Sequence, residues 1–126
     1  MKILNLTQHA ATVDQMVVGV VDLQGDDFAT LKQNLNFVGL PSGDKVRDAA
    51  YNIAKLAQGY CLQNGIDAVM VGGAPFLMPV LHVELQKRGL TVLYAFSERV
   101  SVEKEIDGKV IKTNEFKHSG FVEVFI

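Results

Sequence analysis

Three short segments of this 126-residue chain carry the side chains best suited to chemistry. In ILNLTQHAAT an apolar run breaks off at Asn5-Leu6, and Thr7, Gln8 and His9 follow before the chain restarts at a helix cap. A histidine side chain can both give and take a proton near neutrality, so His9 is the candidate catalytic group, with Thr7 and Gln8 as neutral donors to a ligand. The same three residues also suit a turn closed by local side-chain hydrogen bonds. In VGGAP, Gly72 and Gly73 would let a ligand approach the backbone, and a helix start after Ala74 and Pro75 would offer free N–H groups to an anion. A tight strand-to-helix turn is the plainer use of the glycine pair. In FSERV, the planar fork of Arg99 could hold a phosphodiester at two points, with Ser97 on the same side of a continuing strand. The alternative for Arg99 is a surface ion pair with Glu98 or Glu103.

The other two histidines are weaker candidates. His118 lies in FKHSGF, a polar segment between two apolar ones, and is kept as a ligand contact although a solvated turn explains it. His82, among Val80, Leu81 and Val83, reads as a structural residue of a helix. No HxxxH, CxxC, P-loop or GxSxG pattern is present, so the sequence supplies no metal site, no triphosphate loop and no serine-hydrolase elbow, and no cofactor is expected.

The hydropathy pattern places these segments at the ends of strands. Lys2 to Leu6 reads as a buried strand. Thr12 and Gln15 have capping-box spacing for a brief helix from Val13 to about Val18, stopped by Gly19. Val20 to Leu23 is a short strand, and Asp26-Asp27 opens a helix through Leu35 and Asn36. After Pro41, Ser42 and Gly43 the longest helix runs from about Asp44 to Asn64, with apolar residues at Val46, Ala50, Ile53, Ala57 and Tyr60. IDAVMVGG is a strand buried on both faces. A helix follows between Pro75 and Arg88, with Pro75 or Pro79 as its first residue. Thr91 to Phe96 is the next strand, a hairpin turning at Asp107-Gly108 comes after it, and FVEVFI is the last strand.

Strands alternating with helices require right-handed crossovers, hence a parallel sheet with helices on both faces. The expected architecture is one small Rossmann-like α/β domain over residues 1–126, mostly parallel, with residues 97–126 as an antiparallel β-hairpin extension. In such sheets ligands bind beyond the carboxyl ends of the strands. All three chemical segments would then meet at one rim.

Composition bounds the partners. Twelve basic and 14 acidic side chains give a net charge of −2, which excludes a broad cationic surface for duplex nucleic acid. A single cysteine suits a reducing, cytoplasmic setting. No apolar run approaches the roughly 20 residues needed to span a bilayer, and Lys2 leads straight into a strand with no signal-peptide core.

Two segments, NLTQHAATVDQ and VMVGGAPFLMPVL, together with the order of elements, resemble the CRISPR-associated Rossmann-fold (CARF) domains and the small ring nucleases related to them. The resemblance covers about a fifth of the chain. Val71 and Ala74 stand where the CARF pattern carries hydroxyl residues beside its glycines, which leaves backbone rather than side-chain contacts to phosphate from that loop. The resemblance implies a homodimer that binds a cyclic oligonucleotide, specifically a cyclic oligoadenylate, and cuts it without metal. His9 would assist proton transfer, Arg99 would bind the scissile phosphate, and the Gly73 and Ala74 N–H groups would hold a neighbouring one. A sensor or sponge that binds without cutting, and a different nucleotide or nucleoside enzyme, are the competing expectations.

Overall fold

The computed structural model describes residues 1–126 and contains a five-stranded sheet. The elements run β1 (Ile3–Asn5), α1 (Val13–Val17), β2 (Val20–Asp22), α2 (Gly25–Leu35), α3 (Gly43–Asn64), β3 (Ala68–Val71), α4 (Met78–Lys87), β4 (Thr91–Ile106) and β5 (Lys109–Glu123). Strand order is β2-β1-β3-β4-β5, parallel up to β4 and antiparallel between β4 and β5. This is the expected mostly parallel α/β sheet with an antiparallel extension. No helix is long and apolar enough to cross a membrane.

The two faces of the sheet are covered unequally. On one, Leu4, Val69 and Val92 pack under Leu31 and Leu35 of α2, Ala50, Ile53 and Ala57 of α3, and Leu81 and Leu85 of α4. On the other, Ile3, Val20, Ala68, Met70 and Leu93 form a small cluster joined only by Ala11 and Phe121. Helix α1 lies outside both clusters and buries none of its residues. Its capping box is formed as its spacing predicts: Thr12 Oγ1 accepts from Gln15 N at 3.2 Å, and Gln15 Oε1 accepts from Thr12 N at 3.0 Å.

Two boundaries differ from the sequence reading in ways that matter to the site. Helix α4 begins at Met78, with Pro79 in its first turn, and a separate turn over residues 75–77 intervenes after the glycine pair. Proline is at home there because the first N–H groups of a helix have no intrahelical acceptor. Strand β4 does not end at Phe96. It continues through Ser97, Glu98 and Arg99 to Ile106, so the expected strand and hairpin arm are one element of 16 residues, paired with β5 from Leu93 to Ile106. A bulge between Phe96 and Ser97 marks where the arm leaves the sheet. The sequence concealed this because Ser-Glu-Arg reads as a polar loop, whereas a strand without a helix above it tolerates polar residues on both faces.

Candidate functional site

Strand order reverses direction about β1: the chain passes from β1 to β2 on one side and returns to β3 on the other. The crevice between the carboxyl ends of β1 and β3 is therefore the topological switch point, where open α/β sheets bind ligands. An open cleft of about 500 Å³ lies there, lined on one side by Thr7, Gln8 and His9 and on the other by Gly72 and Gly73, with Tyr94 also contributing. A larger groove of about 620 Å³ between α2 and α3, along Asn34, Asn52 and Lys55, is polar and lies away from the strand ends.

The first wall is built by Asn5, a buried polar residue at the last position of β1. Its Nδ2 donates to the His9 carbonyl and to Asp22 Oδ1, each at 2.8 Å, and its Oδ1 accepts from the Thr7 amide and hydroxyl at 2.9 and 2.8 Å. Asp22, at the end of β2, also accepts from the Ala11 amide at 3.1 Å. The backbone of Thr7 to Ala11 is thereby tied to both strand ends. The His9 imidazole, which is exposed and makes no hydrogen bond, projects from a pinned backbone. The Thr7 hydroxyl donates to Asn5 Oδ1, the local turn use open to it, while the residue also lines the cleft.

Across the cleft, Gly72 faces the methyl of Thr7. A Cβ at Gly72 would lie 3.2 Å from Thr7 Cγ2, so any larger residue there requires the Thr7 methyl to give way. The N–H groups of Gly72, Gly73 and Ala74 donate to no group of the protein. Because the turn over 75–77 separates them from α4, these donors are the loop's own rather than those of a helix start. Ala74 packs against the main core, and neither it nor Pro75 lines the cleft.

Ser97, Arg99 and His118 lie on the arm, not on the rim. Ser97 is paired with His118, and Arg99 with Phe116, over whose ring its guanidinium lies at 5.2 Å. Neither Glu98 nor Glu103 pairs with Arg99; Glu103 is 3.9 Å from Lys112 instead. His118 is inside β5 rather than in a turn, half-buried, with its ring edge on Phe121 and its Nδ1 without a partner. No three His, Cys, Asp or Glu side chains come together as metal ligands.

Tyr94 and Asn5 are the site residues the sequence reading passed over. Tyr94 Oη is 2.8 Å from His82 Nδ1, and His82 Nε2 is 2.9 Å from Gln86 Oε1. The amide oxygen can only accept, so Nε2 carries the proton and Tyr94 donates to Nδ1. His82 is thus the buried structural histidine its helical setting suggests, and burial pushes the Tyr94 hydroxyl pKa up. A polar residue closing a buried strand was the available signal for Asn5.

An open, mostly parallel sheet with a cleft at its switch point defines a small Rossmann-like α/β domain with a strand-end site. The chain belongs to the Uncharacterized protein MJ1673 family, whose model matches residues 1–122 and so takes in both walls of the cleft and nearly all of the arm. No curated protein and no solved structure matches it.

Proposed function

We propose that the switch-point cleft binds the phosphodiester of a cyclic oligonucleotide and that the protein is a metal-independent ring nuclease, acting on cyclic oligoadenylate messengers in CRISPR signalling or in viral counter-defence. The observation that supports this most is that the Gly72 and Gly73 N–H groups, without a partner in the protein, line the cleft opposite the free imidazole of His9. Backbone donors with no other partner suit a phosphate, and a histidine across from them suits proton transfer.

In the reaction, a ribose 2′-oxygen attacks the adjacent phosphorus, the 2′-O–P bond forms and the P–O5′ bond breaks. A 2′,3′-cyclic phosphate and a 5′-hydroxyl result. His9 moves the proton, from the attacking hydroxyl or to the leaving oxygen, while the loop amides stabilise charge on the phosphate. Arg99 stands outside the cleft of its own chain and is not required for these steps. The protein would work as a homodimer in the cytoplasm, with two clefts serving one ring.

A second reading, a sponge or sensor that holds the ring intact, draws on a different observation: the His9 imidazole has no hydrogen-bond partner to orient it for catalysis. Incubating the protein in excess over cyclic oligoadenylates in EDTA separates the two. Linear products ending in a cyclic phosphate, lost in His9→Ala with binding retained, support the nuclease. Intact ring with a raised melting temperature supports the sponge. Intact ring with no thermal shift removes both.

A further inference from the structure

The arm formed by β4 and β5 leaves the sheet at the Phe96/Ser97 bulge, beyond the reach of β3, whose last paired residue is Val71 against Tyr94. From there it is a two-stranded ribbon, and such ribbons are marginal in water unless something covers them. It exposes Ile106, Val110, Ile111 and Phe116; both of its edges are unpaired, and its β5 edge is also one of the two outer edges of the sheet, with β2 at the other. We propose that two copies of this chain join along β5, in an antiparallel two-fold pairing centred on Phe116.

The turn decides which residues can pair. Asp107 and Gly108 have φ of 52° and 75°, a two-residue mirror-type turn closing on Ile106 and Lys109. That closing pair exchanges both backbone hydrogen bonds, and bonded pairs alternate from it. Ile111, Thr113, Glu115 and Lys117 therefore spend their backbone groups on β4. Asn114, Phe116 and His118 turn theirs outward, toward a further strand.

Of the two-fold registers centred on Lys112, Asn114, Phe116 or His118, one opposes unlike charges without opposing like ones. Centred on Phe116, it sets Phe116 against Phe116, Asn114 against His118, and Glu115 against Lys117 in both directions. Centred on Lys112 it would oppose two lysines; on Asn114 it would set Lys112 against Phe116 and Ile111 against Lys117; on His118 it would set Glu115 against Phe121. Within one chain Glu115 holds Lys104 at 2.7 Å, whereas Lys117 makes no ion pair. The second copy gives Lys117 its carboxylate and places Glu115 between two lysines. Lysines on an edge strand ordinarily discourage pairing with other chains. Under this two-fold they select one partner and one register. About six backbone bonds form before the extra residue at Ser119 interrupts the ladder.

The test is the mass of the full chain in solution, without nucleotide, so that its outcome is independent of the cleft's ligand. The wild-type protein should have twice the 13.8 kDa of one chain. Glu115→Lys and Lys117→Glu each bring like charges together across the two-fold and should be monomeric. Mixed in equal amounts they should recover the doubled mass, because each supplies the charge the other lacks. Phe116→Pro removes an outward N–H that β4 does not use, so it should be monomeric with unchanged circular dichroism. A monomeric wild-type protein, single-charge variants that dimerise alone, a mixture that stays monomeric, or a dimeric Phe116→Pro would each overturn the proposal.

Discussion

Asn5 Oδ1 accepts hydrogen bonds from both the amide and the hydroxyl of Thr7, at 2.9 and 2.8 Å, while its Nδ2 binds Asp22 and the His9 carbonyl. One buried amide thus fills all its hydrogen-bonding capacity and fixes one wall of the cleft. Asn5→Ala would leave buried partners unsatisfied, with an expected loss of about 2–3 kcal/mol in urea unfolding. Asn5→Asp tests the electrostatics of the same place. It sets a second carboxyl against Asp22, and two such groups in contact cannot both ionise easily, so one pKa rises in the folded state. The folded variant then binds more protons than its unfolded chain, and its stability should fall as pH rises from about 4 to 7. A variant equally stable at both ends of that range would contradict the assigned Asn5–Asp22 contact.

Thr7 and Gly72 should be energetically coupled. Asn5 holds Thr7 in place, so its methyl cannot easily retreat from a new Cβ 3.2 Å away. Gly72→Ala should destabilise by about 1–2 kcal/mol. Thr7→Ser keeps the hydroxyl bond and removes the methyl. In that background Gly72→Ala should be tolerated, giving a double-mutant coupling of about 1 kcal/mol. Additive losses would mean that Gly72 is needed for some reason other than the close approach of the two loops.

These two contacts show where the sequence was informative. The strands β1, β3 and the start of β4 were readable because burial on both faces leaves almost continuous apolar runs, and the cap at Thr12 was readable because one side-chain oxygen and one spacing define it. The switch-point loops followed, since strand order places Thr7–His9 beside Gly72–Gly73. Arg99 was misplaced for a physical reason: polar residues that would end a buried strand merely face solvent in a two-stranded arm. Asn5 and Tyr94 carry their roles through partners at Asp22 and His82, and pairings this distant along the chain leave no local pattern.

Tyr94 and His82 join strand β4 to helix α4 beneath the cleft. Tyr94→Phe keeps the ring and removes only the donor to His82 Nδ1, leaving a buried acceptor unsatisfied, so a loss of about 1–2 kcal/mol is expected. His82→Phe in the Tyr94→Phe background replaces both polar partners and should recover part of that loss, because a buried pair removed together leaves no orphan. Chemical denaturation of the four proteins in the cycle measures it. A Tyr94→Phe variant as stable as wild type would show that the hydroxyl finds as good a partner in water.

Cys61 gives the alkaline side of the stability profile. It sits in α3 within the main core, 2% exposed, and burial followed by the negative charge of Asp67 pushes its thiol up to about 11 from an ordinary 9.0. At pH 8 the folded thiolate is about one part in a thousand, so a thiol reagent should label the native protein about a hundredfold more slowly than the urea-unfolded chain, before steric protection slows it further. The sign of the stability effect follows from proton counts. Between pH 9 and 11 the unfolded chain has released the thiol proton and the folded chain has kept it, so stability falls as pH rises through that window. Tyr94, shifted upward by its own burial, adds to the slope in the same direction. Cys61→Ala should lower stability at pH 7 by about 1–2 kcal/mol through lost packing, yet flatten the decline above pH 9. Equal slopes for wild type and Cys61→Ala across pH 9 to 11 would place the alkaline sensitivity elsewhere, and Tyr94→Phe would then show whether the tyrosine accounts for all of it.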